Sequence, residues 1–381
     1  MSDERILLTG ATGIVGCEIV REMLRRPVPP DILALARGTD AEVEAKRRWL
    51  CDWSGVPMPR NPHLHMLRGD MTLPGLGLAG ADLELARQVT GILHAGAVTR
   101  FDQTPEQALI ANVTSTRSVL AHARACPRLD RVGLVSTAFV AGRRTGTILE
   151  DELDLGVKFN NEYEHSKALA EQVAREAMAG LPVAVYRLGI VVGRATDGYI
   201  SRLSGLYPIL RLFHQGLLAM FPGQEDQCID LIPADFAAAA IYHLFARAFV
   251  PGRTYQVCAG AERSFTLDNL FPGVDAFLAA ADPAWRGRGQ VLPLAVSAEV
   301  FRDFIGIVEL TGNPRLRQII AQVATVTRQL EVPKRFDTRG FDQATRRVEG
   351  LALPHARDWL QPSVARAVAT NWRQPARALV P

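Results

Sequence analysis

The sequence predicts an α/β protein with a doubly wound parallel sheet and a smaller C-terminal subdomain. Three observations predict it. A glycine-rich turn follows the first apolar run; short β-branched or leucine-rich runs then alternate with longer amphipathic stretches; and the regular alternation gives way after about residue 194. Parallel strands need long crossovers, which helices supply, so the alternation itself argues for βαβ units. The 381 residues suit two domains, expected at 1–260 and 261–381, and 48% hydrophobic residues are enough for a continuous core. The balance of 43 Lys+Arg against 40 Asp+Glu, a net charge of +3, argues against a protein built to bind nucleic acid.

The first strand, Ile6 to Thr9, is entered directly from Asp3 and Glu4, with no basic leader. Thr9-Gly10-Ala11-Thr12-Gly13-Ile14-Val15-Gly16 ends it and opens a helix expected over 14–26. Glycines at this spacing let the backbone turn sharply and approach a diphosphate at the helix N-terminus. Thr9, Gly10, Thr12, Gly13, Ile14, Val15 and Gly16 are therefore candidate dinucleotide-binding residues of a Rossmann-type domain. The second strand, Ile32 to Ala36, ends in Arg37-Gly38, where an NADH-binding chain usually carries an acid for the ribose hydroxyls. Arg37, with Arg47 in a helix expected over 40–50, suits a 2′-phosphate and points to NADPH.

Strands Leu64 to Leu67 and Gly91 to His94 follow, then a helix over 105–125. Strand Val132 to Ser136 runs into Thr137, and the carboxyl ends of such strands are where an open α/β sheet binds ligands. Thr137 is the expected hydrogen-bond partner of a substrate oxygen, with Ser136 the alternative. A helix over 163–179 begins Tyr163-Glu164-His165-Ser166-Lys167, and the i, i+4 spacing sets phenol and ammonium on one face. A phenol titrates near ~10, and a neighbouring cation is expected to lower that value toward use as a proton donor or acceptor. Strand Val183 to Leu188 and a helix over 234–249 complete the alternation. The apolar stretch 203–221, with Tyr207, Phe213 and Phe221, is expected to face substrate; Arg211 and His214 interrupt it, so no membrane span is expected. Residues beyond 260, including a helix over 314–330, are expected to form a substrate-binding or capping part.

These residues resemble the extended short-chain dehydrogenases/reductases, and within them the thioester reductase and fatty acyl-CoA reductase branch with its male-sterility-like NAD-binding domain. The likeness is carried by Gly69-Asp70-Met71-Thr72-Leu73-Pro74 with Leu76-Gly77-Leu78, by His94-Ala95-Gly96-Ala97, Asn112-Val113-Thr114-Ser115-Thr116 and Phe159-Asn160-Asn161-Glu162-Tyr163. It continues in Tyr186-Arg187-Leu188-Gly189-Ile190-Val191-Val192-Gly193 and Asp230-Leu231-Ile232-Pro233-Ala234-Asp235, over about residues 4–260. The resemblance implies a catalytic set of Thr137, Tyr163 and Lys167, with Lys167 also on the nicotinamide ribose. It puts Asp70 and Met71 on the adenine, Arg37 and Arg47 on a phosphate, and His94, Ala95, Gly96, Ala97, Asn112, Leu188 and Ile190 around the cofactor. Leu188 replaces the family's usual proline, and Gly96 and Ala234 its usual alanine and valine.

The implied activity is NADPH-dependent reduction of an acyl thioester, on CoA or an acyl or peptidyl carrier protein, to an aldehyde or on to an alcohol. A ketone or alcohol dehydrogenase, a nucleotide-sugar epimerase and a non-catalytic NADP(H) sensor are the competing readings. Five scattered cysteines without a CxxC pair fit reduced thiols in a cytoplasmic protein, and His63 with His65 lacks a third metal ligand nearby. Glu150-Asp151-Glu152 is expected to be a solvated loop. Arg143, Arg144, Arg194 and Arg202 are expected to flank the cleft, to meet a pantetheine or CoA phosphate or remain in solvent.

Overall fold

A computed structural model of the chain describes residues 4–56, 62–289 and 291–374; the expected domain ends, including Asp3 and residues 375–381, lie outside the described residues. Seven strands form one sheet: β1 (Arg5–Thr9), β2 (Asp31–Ala36), β3 (Leu64–Arg68), β4 (Gly91–His94), β5 (Arg131–Thr137), β6 (Val183–Leu188) and β7 (Thr254–Val257). Their spatial order is β7-β6-β5-β4-β1-β2-β3, all neighbours parallel. Ile6 stands opposite both Ile32 and Gly91, so the order reverses at β1 and opens a crevice at the carboxyl ends of β1 and β4.

The central strands read as unbroken apolar runs because both faces are covered. Ile6 and Leu8 join one core with Ile32 and Ala34, whereas Leu7 and Leu33 join the other, as the period of two requires. Helices α1 (Ile14–Leu24), α2 (Asp40–Ser54), α3 (Gly80–Arg87), α4 (Ser115–Ala123), α5 (Glu162–Ala177), α6 (Tyr207–His214) and α7 (Ala234–Ala246) connect or flank these strands. The helix expected over 105–125 is interrupted by a π-helical stretch, Leu109–Thr114, which carries Asn112.

β7 was missed because Thr-Tyr-Gln-Val is short and half polar. Its Gln256 is fully buried, and the side-chain amide donates to Ile148 O at 2.8 Å and Asp337 O at 3.0 Å, which makes the burial tolerable.

Beyond residue 260 come α8 (Leu267–Ala281), α9 (Ala298–Leu310), α10 (Pro314–Thr327), α11 (Arg339–Thr345) and α12 (Gln361–Ala369). This region is stitched to the first by small ribbons: Cys228–Ile229 with Phe265–Thr266, Met220–Pro222 with Leu294–Val296, and Gly146–Ile148 with Lys334–Phe336.

Two expectations are corrected here. The side chains of the 203–221 stretch are core rather than an open wall: Phe213 packs on Phe271 at 5.3 Å and on Trp285 at 5.4 Å, and Phe221 on Phe271 at 5.4 Å. His214, which interrupts this stretch, joins the same cluster, stacking on Trp285 at 5.3 Å while its Nε2 lies 3.1 Å from Asp282 Oδ2. Glu150 is also no solvated loop residue. Its carboxylate accepts the backbone N–H groups of Gln256 (3.0 Å), Gly340 (2.9 Å) and Phe341 (3.1 Å), pinning the start of α11 to the sheet edge.

Candidate active site

The glycine turn is shaped by close backbone approach. Gly10 has a φ of +72°, and a Cβ there would sit 2.6 Å from Gly96 Cα; a Cβ on Gly16 would sit 2.0 Å from Gly10 O. The turn after β1 therefore lies directly against the segment after β4. Between them opens a cleft of about 310 Å³ lined by Thr9, Gly10, Thr12, Gly13, Ile14, Arg37, Lys46, Met71, Ala95, Gly96, Ala97 and Arg202, among others. Val15 and Gly16 lie behind this wall in α1. Gly16 contributes by what it leaves empty.

A directional hydrogen-bond chain holds the floor of the cleft. Thr116 donates its hydroxyl proton to Asn112 O at 2.7 Å, so it can only accept from His94 Nε2, 3.3 Å away. His94 Nδ1 is then the acceptor for the Thr9 hydroxyl at 2.6 Å, and Thr9 in turn accepts the Gly96 N–H at 3.1 Å. Burial, reinforced by the Lys167 charge, pulls His94 down to about 3, so the ring stays neutral and the tautomer is fixed. His94 thus braces the cleft from beneath. Asn112 acts similarly: its Oδ1 accepts the Val98 N–H at 3.0 Å and its Nδ2 donates to Ser166 Oγ at 2.9 Å, tying the cleft wall to α5.

At the end of β2 the guanidinium of Arg37 is 69% exposed, and Lys46 donates to Arg37 O at 2.6 Å. Arg47 turns the other way, its Nε bonded to Leu64 O at 3.0 Å, so Lys46 is the second cation the sequence reading missed. Asp70 sits beside the cleft's Arg37, its Oδ2 4.0 Å from that guanidinium, while its Oδ1 accepts the Thr72 N–H at 2.8 Å and hydroxyl at 2.7 Å, shaping the turn that presents Gly69 and Met71. The described residues lining the cleft include three cations, Arg37, Lys46 and Arg202, and no carboxylate. Of the four arginines expected to flank it, Arg202 is there. Arg143 bonds Asn160, Arg144 bonds Glu152, and Arg194 is buried on Glu18 at 2.9 Å.

The catalytic candidates converge where β5 meets α5. Asn161 caps α5 by accepting the Glu164 N–H at 2.9 Å, and Asn160 holds the Glu164 carboxylate at 3.0 Å, which fixes the first turn bearing Tyr163. The Thr137 hydroxyl donates to Leu188 O at 3.4 Å and accepts the Phe139 N–H at 3.3 Å, and it lies close enough to the Tyr163 phenol to favour the phenolate. Leu188 itself is buried, and Ile190 packs behind it against the core, so both support the site from outside the dinucleotide cleft. Lys167 Nζ donates to Val135 O at 2.8 Å, two residues before Thr137 on the same strand. The Ser136 hydroxyl instead donates to Glu171 Oε2 at 3.2 Å, joining the buried Glu171–Arg187 ion pair, which favours Thr137 over it.

The electrostatics differ from expectation. Burial pushes the Tyr163 phenol up to about 12, against the pull of the Thr137 hydroxyl. Burial also draws Lys167 down to about 8, while Glu171 opposes the drop. The desolvation of the phenolate outweighs any nearby cation, so Tyr163 is held as a neutral O–H, ready to give a proton. Among the described residues no group of three or more His, Cys, Asp or Glu side chains is placed to hold a metal, and no helix is long and apolar enough to cross a membrane.

The family described as male sterility protein matches residues 8–241. Fatty acyl-CoA reductase wat of Drosophila melanogaster is 27% identical over 275 residues, covering 63% of this chain and 53% of that protein. Aldehyde reductase lnaA of Aspergillus flavus is 28% identical over 290 residues, covering 70% of this chain and 27% of that protein. The chain spans about half or less of the length of these curated relatives. Among solved structures, the terminal R domain from the myxalamid PKS-NRPS biosynthetic pathway aligns with a TM-score of 0.80 at 24% identity, over 97% of this chain and 92% of that one. UDP-glucuronic acid 4-epimerase from Bacillus cereus aligns with a TM-score of 0.63 at 12% identity, over 95% and 99% of the two chains. Both are likenesses of fold.

Proposed function

The chain belongs to the male sterility protein family of NAD-binding domains, and from that premise we propose that it reduces an acyl thioester to an aldehyde at the expense of NADPH. The observation that carries the proposal is the convergence of Thr137, Tyr163 and Lys167 at the β5–α5 junction beside a glycine-lined cleft. The residues present fit a dinucleotide: a Cβ at Gly10 or Gly16 would collide with the backbone packed behind the turn, so the turn closes as it does only with glycine there, and Arg37, Lys46 and Arg202 bring positive charge to the cleft. Arg37 and Lys46 at the end of β2 support NADPH over NADH, because a 2′-phosphate accepts charge-assisted hydrogen bonds that ribose hydroxyls do not need.

When bound, NADPH supplies a hydride to the thioester carbonyl carbon. As negative charge gathers on the carbonyl oxygen, Tyr163 and Thr137 offer it hydroxyl donors, a contribution worth ~2.7–4 kcal/mol per donor in comparable sites. Tyr163 transfers its proton to that oxygen, giving a thiohemiacetal. Collapse returns the hydroxyl proton to the tyrosinate, breaks the C–S bond and releases the aldehyde and a thiolate that takes a proton from solvent. Lys167, held on Val135 O, is the cation beside the forming tyrosinate and a donor for ribose hydroxyls. The fatty acyl-CoA reductase named above supports an acyl-CoA thioester as the substrate class. The free and largely buried cysteines fit a reducing, cytoplasmic setting.

Incubating the protein with NADPH and a panel of acyl-CoA thioesters, ketones and nucleotide sugars tests this. Free thiol appearing in step with NADPH loss is the expected result. NADPH loss with ketones alone, or sugar epimerisation without net cofactor turnover, would overturn it.

A further inference from the structure

Arg202 reaches the cleft from outside the sheet, on a segment with an unusual double attachment. On one side Arg194 at the segment's start is bound to Glu18 of α1 at 2.9 Å and lies over the Trp53 ring at 4.7 Å. On the other, α12 presses against it. A Cβ on Gly198 would sit 2.1 Å from Pro362 O, and the Arg366 guanidinium stacks on Tyr199 at 3.8 Å. Beyond α12, Gln374 clasps the residue after Arg202 from both sides, its Oε1 accepting the Leu203 N–H at 2.9 Å and its Nε2 donating to Leu203 O at 2.9 Å. Arg202 itself donates to Thr99 Oγ1 at 3.1 Å, so it spans from the segment after Arg194 to the loop after β4 and lines the same cleft as Gly13 and Ile14.

We propose that Arg202 is a diphosphate-binding residue that straps the bound dinucleotide, and that the Gln374 clasp positions it. This rests on the dinucleotide reading of the cleft. The glycine turn offers backbone N–H groups to a diphosphate from one side only. A guanidinium delivered to the same cleft supplies the missing countercharge and a forked pair of donors. A phosphate could also come from the CoA or carrier-bound substrate, and the test separates the two sources.

NADPH, NADH, 2′-AMP and CoA are titrated by fluorescence or calorimetry into the full chain and into Arg202→Ala, Arg202→Lys, Gln374→Ala and Arg37→Ala, with unfolding midpoints recorded in parallel. Arg202→Ala should weaken NADPH and NADH by the same factor, on the order of tenfold or more, because both carry the diphosphate; 2′-AMP affinity should not change. Arg202→Lys should fall between, and Gln374→Ala should weaken both dinucleotides by a few-fold at an unchanged unfolding midpoint. Arg37→Ala should instead weaken NADPH and 2′-AMP but not NADH. Unaltered dinucleotide affinity in Arg202→Ala, or a loss confined to CoA, overturns the proposal while leaving the dinucleotide site intact. A wild-type chain that binds neither dinucleotide overturns both.

Discussion

Replacing Lys167 with methionine separates what this side chain does for the site from what it costs the fold. Lys167 is 3% exposed, and burial pulls its pKa from 10.5 to about 8. A shift of that size corresponds to ~3 kcal/mol charged against the folded state below about pH 8. Methionine matches the length without the charge and forfeits the hydrogen bond to Val135 O, worth ~1 kcal/mol. Lys167→Met should therefore be more stable than wild type by ~2 kcal/mol near neutral pH, and nearly inactive. The pH dependence has a definite sign. Between about pH 8 and 10.5 the unfolded chain still holds the lysine proton and the folded chain does not, so wild-type stability rises relative to the variant and the gap closes. Urea unfolding of both proteins at several pH values across that window, beside a turnover assay at neutral pH, reads both halves. A variant less stable than wild type near neutral pH, or a gap indifferent to pH, refutes the buried cation; preserved turnover refutes its part in the chemistry.

Arg37→Ala should raise the KM for NADPH by about tenfold to a hundredfold and leave that for NADH unchanged, the equivalent of ~1.5–3 kcal/mol for a charge-assisted pair; steady-state kinetics with both cofactors checks it. Gly96→Ala would set a Cβ 2.5 Å from Met71 Sδ and 3.0 Å from Thr9 Oγ1. It should weaken cofactor binding by an amount of order ~1–3 kcal/mol, and trimming Met71 to valine in the same chain should recover part of the loss in a binding titration. Glu150→Ala strands two buried N–H donors and a third half-buried one and should cost about 3 kcal/mol in denaturant unfolding, with NADPH affinity retained in the chains that remain folded.

What was legible in the sequence, and what was not, follows from the range of each interaction. The strands of the alternation before residue 190, the glycine turn and the Tyr163–Lys167 spacing are local patterns, and the structure places them within a residue or two of expectation. The choice between Thr137 and Ser136 depends on which face of β5 each presents, and the partner of Ser136, the buried Glu171, is 35 residues away. Arg47 and Lys46 are adjacent in α2, yet one residue on a helix is more than a quarter turn, enough to send one to β3 and the other to the cleft. Glu150 takes its meaning from Gly340 and Phe341, and the aromatic stretch 203–221 from Phe271 and Trp285; neither partner is near in sequence. The acidity of Tyr163 was misjudged because spacing reveals the neighbouring ammonium but not the depth of burial, and burial is the larger effect.

Single-turnover thiol release by Tyr163→Phe, from a preformed NADPH complex mixed with an acyl-CoA substrate, bears most directly on the chemistry assigned to the site. Phenylalanine keeps the ring against Phe101 at about 6.0 Å and removes only the donor. The rate of thiol release should fall by ~10²–10³ while NADPH affinity holds at the wild-type value. Thiol release at the wild-type rate in that variant would contradict the assignment of Tyr163 as the proton donor.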